Sequence, residues 1–489
     1  MDKPKLVLKE FVQHNEIALG HHQFRSLYIG FHPISRNMIV HDGHAAKVYS
    51  DGEVIYRYEK LGRPPRVAGD THAALTWSKD LLFIGGWLKA PPGMIEVSQY
   101  ERILKYQDMR MKYSHIHMIY DDDKVEILWS RKWDDKIPPN NWYGEVTDLL
   151  YDQHDDAVYF SRADGHAELG LWKVGVSTRD AEFLVKNRTV YKMEMKDDKI
   201  YATIFNPIHT DVSSIMVYNT LNGEYKFVES FDFPLESNKK IQIRRVGGQI
   251  VQIQNKLIAF YGGTLIHIDP HKDVYRLYPF LDIRNPESER PTYILGFRAQ
   301  KAYIMGIPII SVNPAEDLRD MSSRTTFGLL LRIDPVVPQI ITESGAIFGM
   351  AHDGEYLYVG ASYANHTGVY TYRAGDGGVF AIPVSELFKK PWNPLRIWIH
   401  DGPYSPTAGI DGWFGGIPLK GFSEKKIRVY TEKSTKMRIA EYSLFSKVKD
   451  DNVTLNTGWN IIDLNSYYDI IAFKLDESMD LLQAEIILE

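Results

Sequence analysis

Along most of the chain, apolar and aromatic residues come in short runs bounded by Asp, Gly, Asn or Lys-Asp pairs. Examples are DLLFIGGW (80–87), AVYFSRADG (157–165), DKIYATIFN (198–206), NKLIAFYGG (255–263), KAYIMG (301–306) and EYLYVGASY (355–363). β-Branched and aromatic side chains pack well on a pleated surface, and the bounding residues suit tight turns, so each run predicts a strand. Helical periodicity is scarce; the best candidate is PVSELFKK within 382–390.

The runs recur as units. Each run follows an earlier strand, and most lead into another, such as SIMVYNT (214–220), TLIHID (264–269), GLLLRID (328–334) or GVYTYR (368–373). A weaker fourth segment closes the unit, as in YKFVES (225–230) or VFAIP (379–383). Units begin near residues 24, 67, 143, 188, 240, 291 and 345. Four short strands per unit at this spacing predict an all-β, seven-bladed β-propeller, with six or eight blades as alternatives. The propeller is expected over 24–400 after an N-terminal lead-in, 1–23. Its first unit lacks an evident outer strand and is expected to borrow one. The segments 88–111 and 307–326 are read as long second-to-third-strand inserts, which at that length suggest lids or binding loops.

After residue 395 the pattern changes. The stretch DGPYSPTAGIDGWFGGIPLKGF (401–422) is rich in Gly and Pro and is read as a linker. Beyond it, KKIRVYTE, KMRIAEYSLF, DNVTLN, GWNIIDLN, DIIAFKLD and AEIILE alternate at period two. That alternation predicts a small C-terminal antiparallel β-sandwich over 423–489, serving as a ligand-binding module, a structural cap or a surface for homo-oligomers.

Composition narrows the function classes. The 489 residues are 44% apolar and 25% charged, ordinary for a globular chain with a sizeable core. Lys and Arg number 57 against 63 Asp and Glu, a formal net charge of −6. Such a balance supplies no basic field for nucleic acid and no polybasic membrane anchor, so neither partner is expected. Cys is absent, which excludes disulfides, thiolate nucleophiles, Cys-ligated zinc and Cys-held iron–sulfur clusters. The first twenty residues lack the apolar core of a signal peptide, and no run approaches the roughly 18 apolar residues of a membrane span. A cytoplasmic location is therefore expected.

Candidate chemistry follows from the strand order. In a four-stranded meander, the turn between the second and third strands lies at the same end as the start of the innermost strand. Five of the seven units put a histidine in or just beyond that turn, within His41-Asp42-Gly43-His44, Lys112-Tyr113-Ser114-His115, Arg162-Ala163-Asp164-Gly165-His166, Asn206-Pro207-Ile208-His209 and Tyr363-Ala364-Asn365-His366. The innermost strands begin on that face with Asp70, His72, Trp142 and Glu145. Imidazoles and carboxylates in this mixture suit a divalent cation, zinc, manganese or calcium, with Asp70, His72, His115 and His166 as ligands. Without metal, His72 or His166 serves as base and Tyr113 as acid, with Glu145 orienting them. Trp87, Lys112, Trp142, Arg162, Asp164 and His209 complete a ligand-binding wall. Aromatic faces beside carboxylates suit sugars, and Arg162 or Lys112 would anchor a uronate carboxylate.

Plainer readings compete at each position. Asp42-Gly43 and Asp164-Gly165 are good turn residues in their own right. His115 and His117 alternate along one strand and share a face, either as a metal pair or packed beneath the 88–111 segment. No Gly-x-x-x-x-Gly-Lys-Ser/Thr phosphate loop and no Gly-x-Ser-x-Gly elbow is present. Arg319 and Arg324 are further anion-anchoring candidates.

GDTHAALTWSKDLLFIGGWLKAP (69–91), KYSHIHMIY (112–120), NWYGEVTDLLYD (141–152) and SRADGHAELGLW (161–172) resemble an uncharacterised archaeal family, a domain of unknown function. The resemblance is specific over 65–175 and implies a propeller-like fold and an archaeal, thermophilic source; it implies no mechanism. Absence of Cys fits a thermophile. Together the residues point to recognition, with or without turnover, of a small-molecule or oligosaccharide ligand, uronate-like included, at a His-, carboxylate- and aromatic-lined face. Turnover would make the protein a carbohydrate-acting lyase or hydrolase. The alternative is a non-catalytic scaffold for protein–protein assembly.

Overall fold

The computed structural model describes residues 5–9, 27–42, 47–57, 74–88, 92–96, 102–107, 113–138, 141–163, 165–204, 212–237, 239–245, 247–283, 293–294, 300–314, 328–344, 346–362 and 378–489. Among the described residues nearly every element is a strand, and the helical candidate is a single turn, Val384–Leu387. Among the described residues six sheets contain an antiparallel meander of four strands, and a seventh has three consecutive strands completed by a fourth from the N-terminal lead-in. The first is Leu27–Phe31, Met38–Asp42, Lys47–Ser50 and Glu53–Arg57; the second is Ala74–Trp77, Leu82–Leu88, Tyr113–Ile119 and Val125–Lys132. The third is Glu145–Asp152, Ala157–Ala163, Gly170–Gly175 and Ala181–Lys186; the fourth is Val190–Lys196, Lys199–Ile204, Ile215–Asn219 and Tyr225–Val228. The fifth is Gly247–Ile253, Lys256–Tyr261, Thr264–Asp269 and Val274–Pro279, and the sixth is Lys301–Ile304, Ile307–Pro314, Gly328–Arg332 and Gln339–Ser344. Successive four-stranded meanders of this kind are the blades of a β-propeller.

The chain divides into two compact units. One comprises Met1–Thr210, Met216–Lys226 and Ala346–Val384; the other comprises Asp211–Ile215, Phe227–Gly345 and Ser385–Glu489. In the first unit the sheets pack face to face in sequence. Tyr28, Ile39 and Val48 of the first sheet meet Leu82, Ile84 and Ile119 of the second. The opposite face of the second sheet, Phe83, Ile116 and Met118, meets Val146, Leu149, Val158 and Phe160 of the third. Strands covered on both faces carry apolar residues at consecutive positions, which is why the runs are continuous rather than alternating.

The borrowed strand lies at the other end of the meander series from where it was expected. The first sheet has its own fourth strand. The seventh, Ala346–His352, Tyr356–Ser362 and Gly378–Pro383, takes its outer strand from the N-terminal lead-in: Lys5–Lys9 runs antiparallel to it, pairing Lys5 with Ala381 and Lys9 with Gly378. Val40 and Ile29 of the first sheet pack on Val379 of the seventh, so the lead-in strand joins a sheet that already abuts the first.

Two other expectations are corrected. The segment 307–326 is not an insert throughout, because Ile307–Pro314 is the second strand of the sixth sheet. It is reached from Lys301–Ile304 by Met305 and Gly306, both at positive φ (51° and 75°), a two-residue hairpin turn. Residues 315–327, with Arg319 and Arg324, lie outside the described residues. Within 88–111, Pro92–Glu96 and Arg102–Gln107 form a hairpin.

The stretch read as a linker contributes two strands. Leu395–Tyr404 pairs with Met479–Leu488 and Phe414–Pro418 pairs with Ile470–Leu475, so two four-stranded sheets make the C-terminal sandwich. The sandwich is fixed to the fifth sheet by backbone as well as side chains. Asp282 and Gly415 exchange hydrogen bonds at 2.8 and 2.9 Å, and Leu281 N donates to Gly416 O at 3.1 Å. A Cβ on Gly416, at φ +66°, would sit 2.5 Å from Pro279 O, so only glycine allows this approach. Glu236 accepts from Trp413 Nε1 (3.1 Å), Arg438 Nη1 (2.9 Å) and Lys474 Nζ (3.2 Å). The Tyr442 hydroxyl donates to Pro279 O while its ring stacks on Tyr278.

One imidazole in this contact is unusual. His267, on Thr264–Asp269, is buried edge-on to Phe445 of the sandwich at 4.9 Å, and neither ring nitrogen has a hydrogen-bond partner among the described residues. Burial, then the charges of Arg276 and Lys256, pull its pKa down to about 4, against a smaller opposing effect of Asp269.

Two predictions follow from these contacts. Deleting residues 1–9 removes the closing strand and should lower the thermal midpoint, followed by circular dichroism, by about 5 °C or more; an unchanged midpoint would refute the closing role. For His267 the folded pKa lies below the unfolded value of about 6.5. Its stabilisation is thus complete above that value and is lost as pH falls through about 4. His267→Phe should therefore reduce the fall in the urea midpoint between pH 7 and about pH 4.5, and an undiminished fall would contradict this.

Candidate functional site

The corner where the third sheet begins its innermost strand gathers four of the side chains singled out from the sequence, Trp142, Glu145, Arg162 and His166. The segment 141–145 enters Glu145–Asp152 there, and residues 165–169 return on top of it. Two backbone bonds hold the turn down: His166 N donates to Trp142 O at 2.8 Å and Gly144 N to Ala167 O at 2.9 Å. The approach demands glycine at 165, where the neighbour is backbone, and is close at Gly144, where it is a side chain. A Cβ on Gly165 would lie 2.6 Å from Gly144 Cα, and one on Gly144 would lie 2.7 Å from Leu169 Cδ2.

This packing exposes His166 and sets its ring edge-on to the half-buried Trp142, centroids 4.3 Å apart. Beneath them runs an ionic cluster. Along Ala157–Ala163, Val158, Phe160 and Arg162 face the second sheet. The Arg162 guanidinium, fully buried, lies between Trp129 (5.1 Å) and Trp172 (5.2 Å). Its Nε donates to Gly144 O at 2.9 Å and its Nη1 to Glu168 Oε2 at 2.8 Å. Burial lowers the Arg162 pKa to about 10, with Glu168 opposing, so the group stays protonated at neutral pH.

Arg131, from the outer strand of the second sheet, grips the same carboxylate from the other side, Nε to Oε2 at 3.1 Å and Nη2 to Oε1 at 2.8 Å. Its Nη1 lies 3.1 Å from Asp134, and its guanidinium lies 3.9 Å above the Tyr143 ring. The Tyr143 hydroxyl donates to Asp134. Burial first, and this bond second, raise the Tyr143 pKa to about 12. Two arginines thus face two carboxylates, and the cluster is balanced in charge. Glu168 sits at φ 55°, a left-handed conformation costly for a residue with a Cβ, which the clamp offsets.

The sequence candidates divide accordingly. Trp142, Glu145, Arg162 and His166 come together at this corner; Glu145 is buried at the head of its strand, paired with Ala163. Arg162 does not stand free as a carboxylate anchor, because Gly144 and Glu168 already occupy it. Trp87 is buried on Leu82–Leu88, opposite Ser114, whose hydroxyl donates to Gly144 O at 2.9 Å. Asp70, His72, Lys112, Asp164 and His209 lie outside the described residues, as does the side chain of Tyr113.

His115 and His117 are buried, with Nδ1 atoms 2.9 Å apart, and His117 packs on Tyr56 of the first sheet. One ring must donate and the other accept across this contact. Burial lowers the His115 pKa to about 3, and burial plus repulsion from His115 lowers that of His117 well below its usual value. This pair is packed between sheets rather than presented at the exposed corner. Among the described residues no three His, Asp or Glu side chains converge as a metal site. Sequence reasoning passed over Glu168, Arg131, Asp134, Trp129 and Trp172. Their available signal was a carboxylate within the same turn as Arg162, followed four positions later by Trp172.

Glu168→Gln keeps the shape but leaves the buried Arg162 without a counter-charge. Because Glu168 is partly exposed, the loss should be about 1–3 kcal/mol of unfolding free energy in urea titrations. A change below about 0.5 kcal/mol would contradict the clamp.

Comparison with known proteins bears on the family. The T. rangeli (Trypanosoma rangeli) sialidase matches with a TM-score of 0.38 at 9% identity, over 96% of this chain and 91% of that one. The N-terminal domain of Nup159 matches with a TM-score of 0.38 at 10% identity, over 77% and 94%. A glycoside hydrolase family 43 arabinoxylan arabinofuranohydrolase from Bacillus subtilis matches with a TM-score of 0.28 at 9% identity, over 85% and 94%. Likeness this distant carries no argument about activity. No curated protein matches the chain. A family model described as an uncharacterized protein conserved in archaea (DUF2139) matches residues 37–370, more than half of the chain, and the protein belongs to that archaeal family.

Proposed function

We propose that the protein recognises a neutral oligosaccharide at the corner of the third sheet, with His166 and Trp142 as the contact wall. The observation that carries this reading is the exposed imidazole braced edge-on against a half-buried indole, above a clamped cluster of partly exposed polar groups. A pyranose offers an apolar face to such a wall, and its hydroxyls match donors and acceptors such as Arg131, Asp134 and Glu168. Rigid bracing matters, because a wall fixed before binding loses little entropy on contact.

Charge selects between neutral and acidic sugars. Arg131 and Arg162 are already matched by Asp134 and Glu168, so neither guanidinium is left uncompensated for a uronate. A neutral chain is therefore preferred to a uronate-like compound. In a version with turnover, His166 acts as the base, since its exposure lets it reach a bound sugar.

The test is calorimetric titration of the full chain with neutral gluco-, xylo-, manno- and galacto-oligosaccharides and, in parallel, with oligogalacturonate. Binding of a neutral member is expected, weakened about 10-fold or more by Trp142→Ala and by His166→Ala, with thermal midpoints within about 2 °C of the unsubstituted protein. Failure of every neutral member to bind, or full binding by both variants, would overturn the proposal. Preference for oligogalacturonate would overturn the charge argument.

A further inference from the structure

The C-terminal sandwich ends one of its sheets on an exposed edge. Gly458–Asp463 is the outermost strand beyond Lys425–Thr431, in the order Leu395–Tyr404, Met479–Leu488, Lys425–Thr431, Gly458–Asp463. Its sequence, GWNIID, sends Trp459, Ile461 and Asp463 to the outer face. Ile461 is 70% exposed and Trp459 48% exposed. Large apolar side chains on an edge strand are what a stand-alone protein avoids, since an edge also presents backbone donors and acceptors to any passing strand.

The neighbouring side chains extend this surface. Tyr430 stands opposite Trp459, rings 5.6 Å apart, and Arg428 stands opposite Ile461 with its guanidinium 4.9 Å from the Trp459 ring. Arg428 is in turn held by Glu485 at 3.3 Å. Trp, Tyr and Arg beside an exposed aliphatic residue are the composition of an interface centre.

We infer that this edge is the contact between two copies of the chain, formed by antiparallel pairing of Gly458–Asp463 with its own symmetry mate. Self-complementarity selects the second copy. A two-fold axis perpendicular to the sheet keeps outward residues outward only when paired positions have the same parity. Pairing Ile461 with Ile461 of the second copy meets that condition and sets Trp459 against the second copy's Asp463. The carboxylate then comes beside Trp459, and with it Arg428, the cation already stacked there. Apolar residues meet at the axis and opposite charges meet on either side of it, as an isologous interface requires.

The experiment is sedimentation velocity on the full chain from about 1 to about 100 µM, at low and moderate salt. Twice the chain mass is expected for the unsubstituted protein. Ile461→Lys sets two ammonium groups against each other at the axis and should weaken association at least ~30-fold, without changing the thermal midpoint, because the side chain is exposed. Leu221→Lys, at an exposed position in the turn between Ile215–Asn219 and Tyr225–Val228, should leave the mass unchanged. A single chain mass throughout for the unsubstituted protein would overturn the inference. So would a dimer indifferent to Ile461→Lys, or one lost equally in Leu221→Lys.

Discussion

A four-stranded antiparallel meander too short to curl on itself has two faces to bury and can cover neither alone. The second sheet shows how this constraint governs the molecule. Leu82, Ile84 and Ile119 need the first sheet, whereas Phe83, Ile116 and Met118 need the third. Within this unit the second sheet is therefore complete only between the first and the third, and the end sheet of the series needs an outer strand from elsewhere in the chain. Lys5–Lys9 supplies it for the seventh sheet, whose Val379 packs on the first. Closure draws on residues from both ends of the unit, so its stabilisation does not reside in any one blade.

The same constraint decides what polar groups can do. Turns at the blade ends emerge where apolar packing stops, and a charge placed there is desolvated on its inner side. Arg162 is the clearest case. It lies on a strand whose other inward residues on that face are Val158 and Phe160, and it persists because two indoles, a backbone carbonyl and Glu168 replace its water. Arg131 then makes the carboxylate bidentate, which fixes the turn bearing His166. The exposed imidazole is carried on a turn that this partly buried ion cluster holds in place.

Strand runs, unit spacing and the change to period-two alternation are local properties, and the all-β, four-stranded pattern was legible in them, whereas the bounds were not: the sandwich takes in strands from 395–418. Pairings over long sequence separations were not legible either. Lys5–Lys9 reads as a short apolar run among charges, and nothing nearby says that its partner is Gly378–Pro383. The stretch 401–422 reads as a linker because its glycines and prolines dominate, whereas Gly416 serves close approach to Pro279 in a packed contact. At the site, Trp142, Glu145, Arg162 and His166 were recognisable as one turn end. The role of Arg162 was not, because Arg131 and Trp129 reach it from another sheet and only the packing of the two sheets brings them together.

The sandwich reverses the usual relation between a domain and its attachment. Its face toward the fifth sheet combines backbone bonds from Asp282 and Leu281, a glycine contact at Gly416 and the three donors on Glu236. Such an attachment needs no flexible tether, because backbone pairing fixes register as well as distance. A module held this way has one sheet committed inward. The other sheet, carrying Arg428, Tyr430, Trp459 and Ile461, is presented in a fixed orientation. Orientation is what a symmetric contact requires: a two-fold axis through one strand defines the relation of two whole chains only if that strand is rigidly joined to the rest. The charged network at Glu236 and the aromatic edge at Trp459 are therefore coupled in purpose, the first making the second worth having.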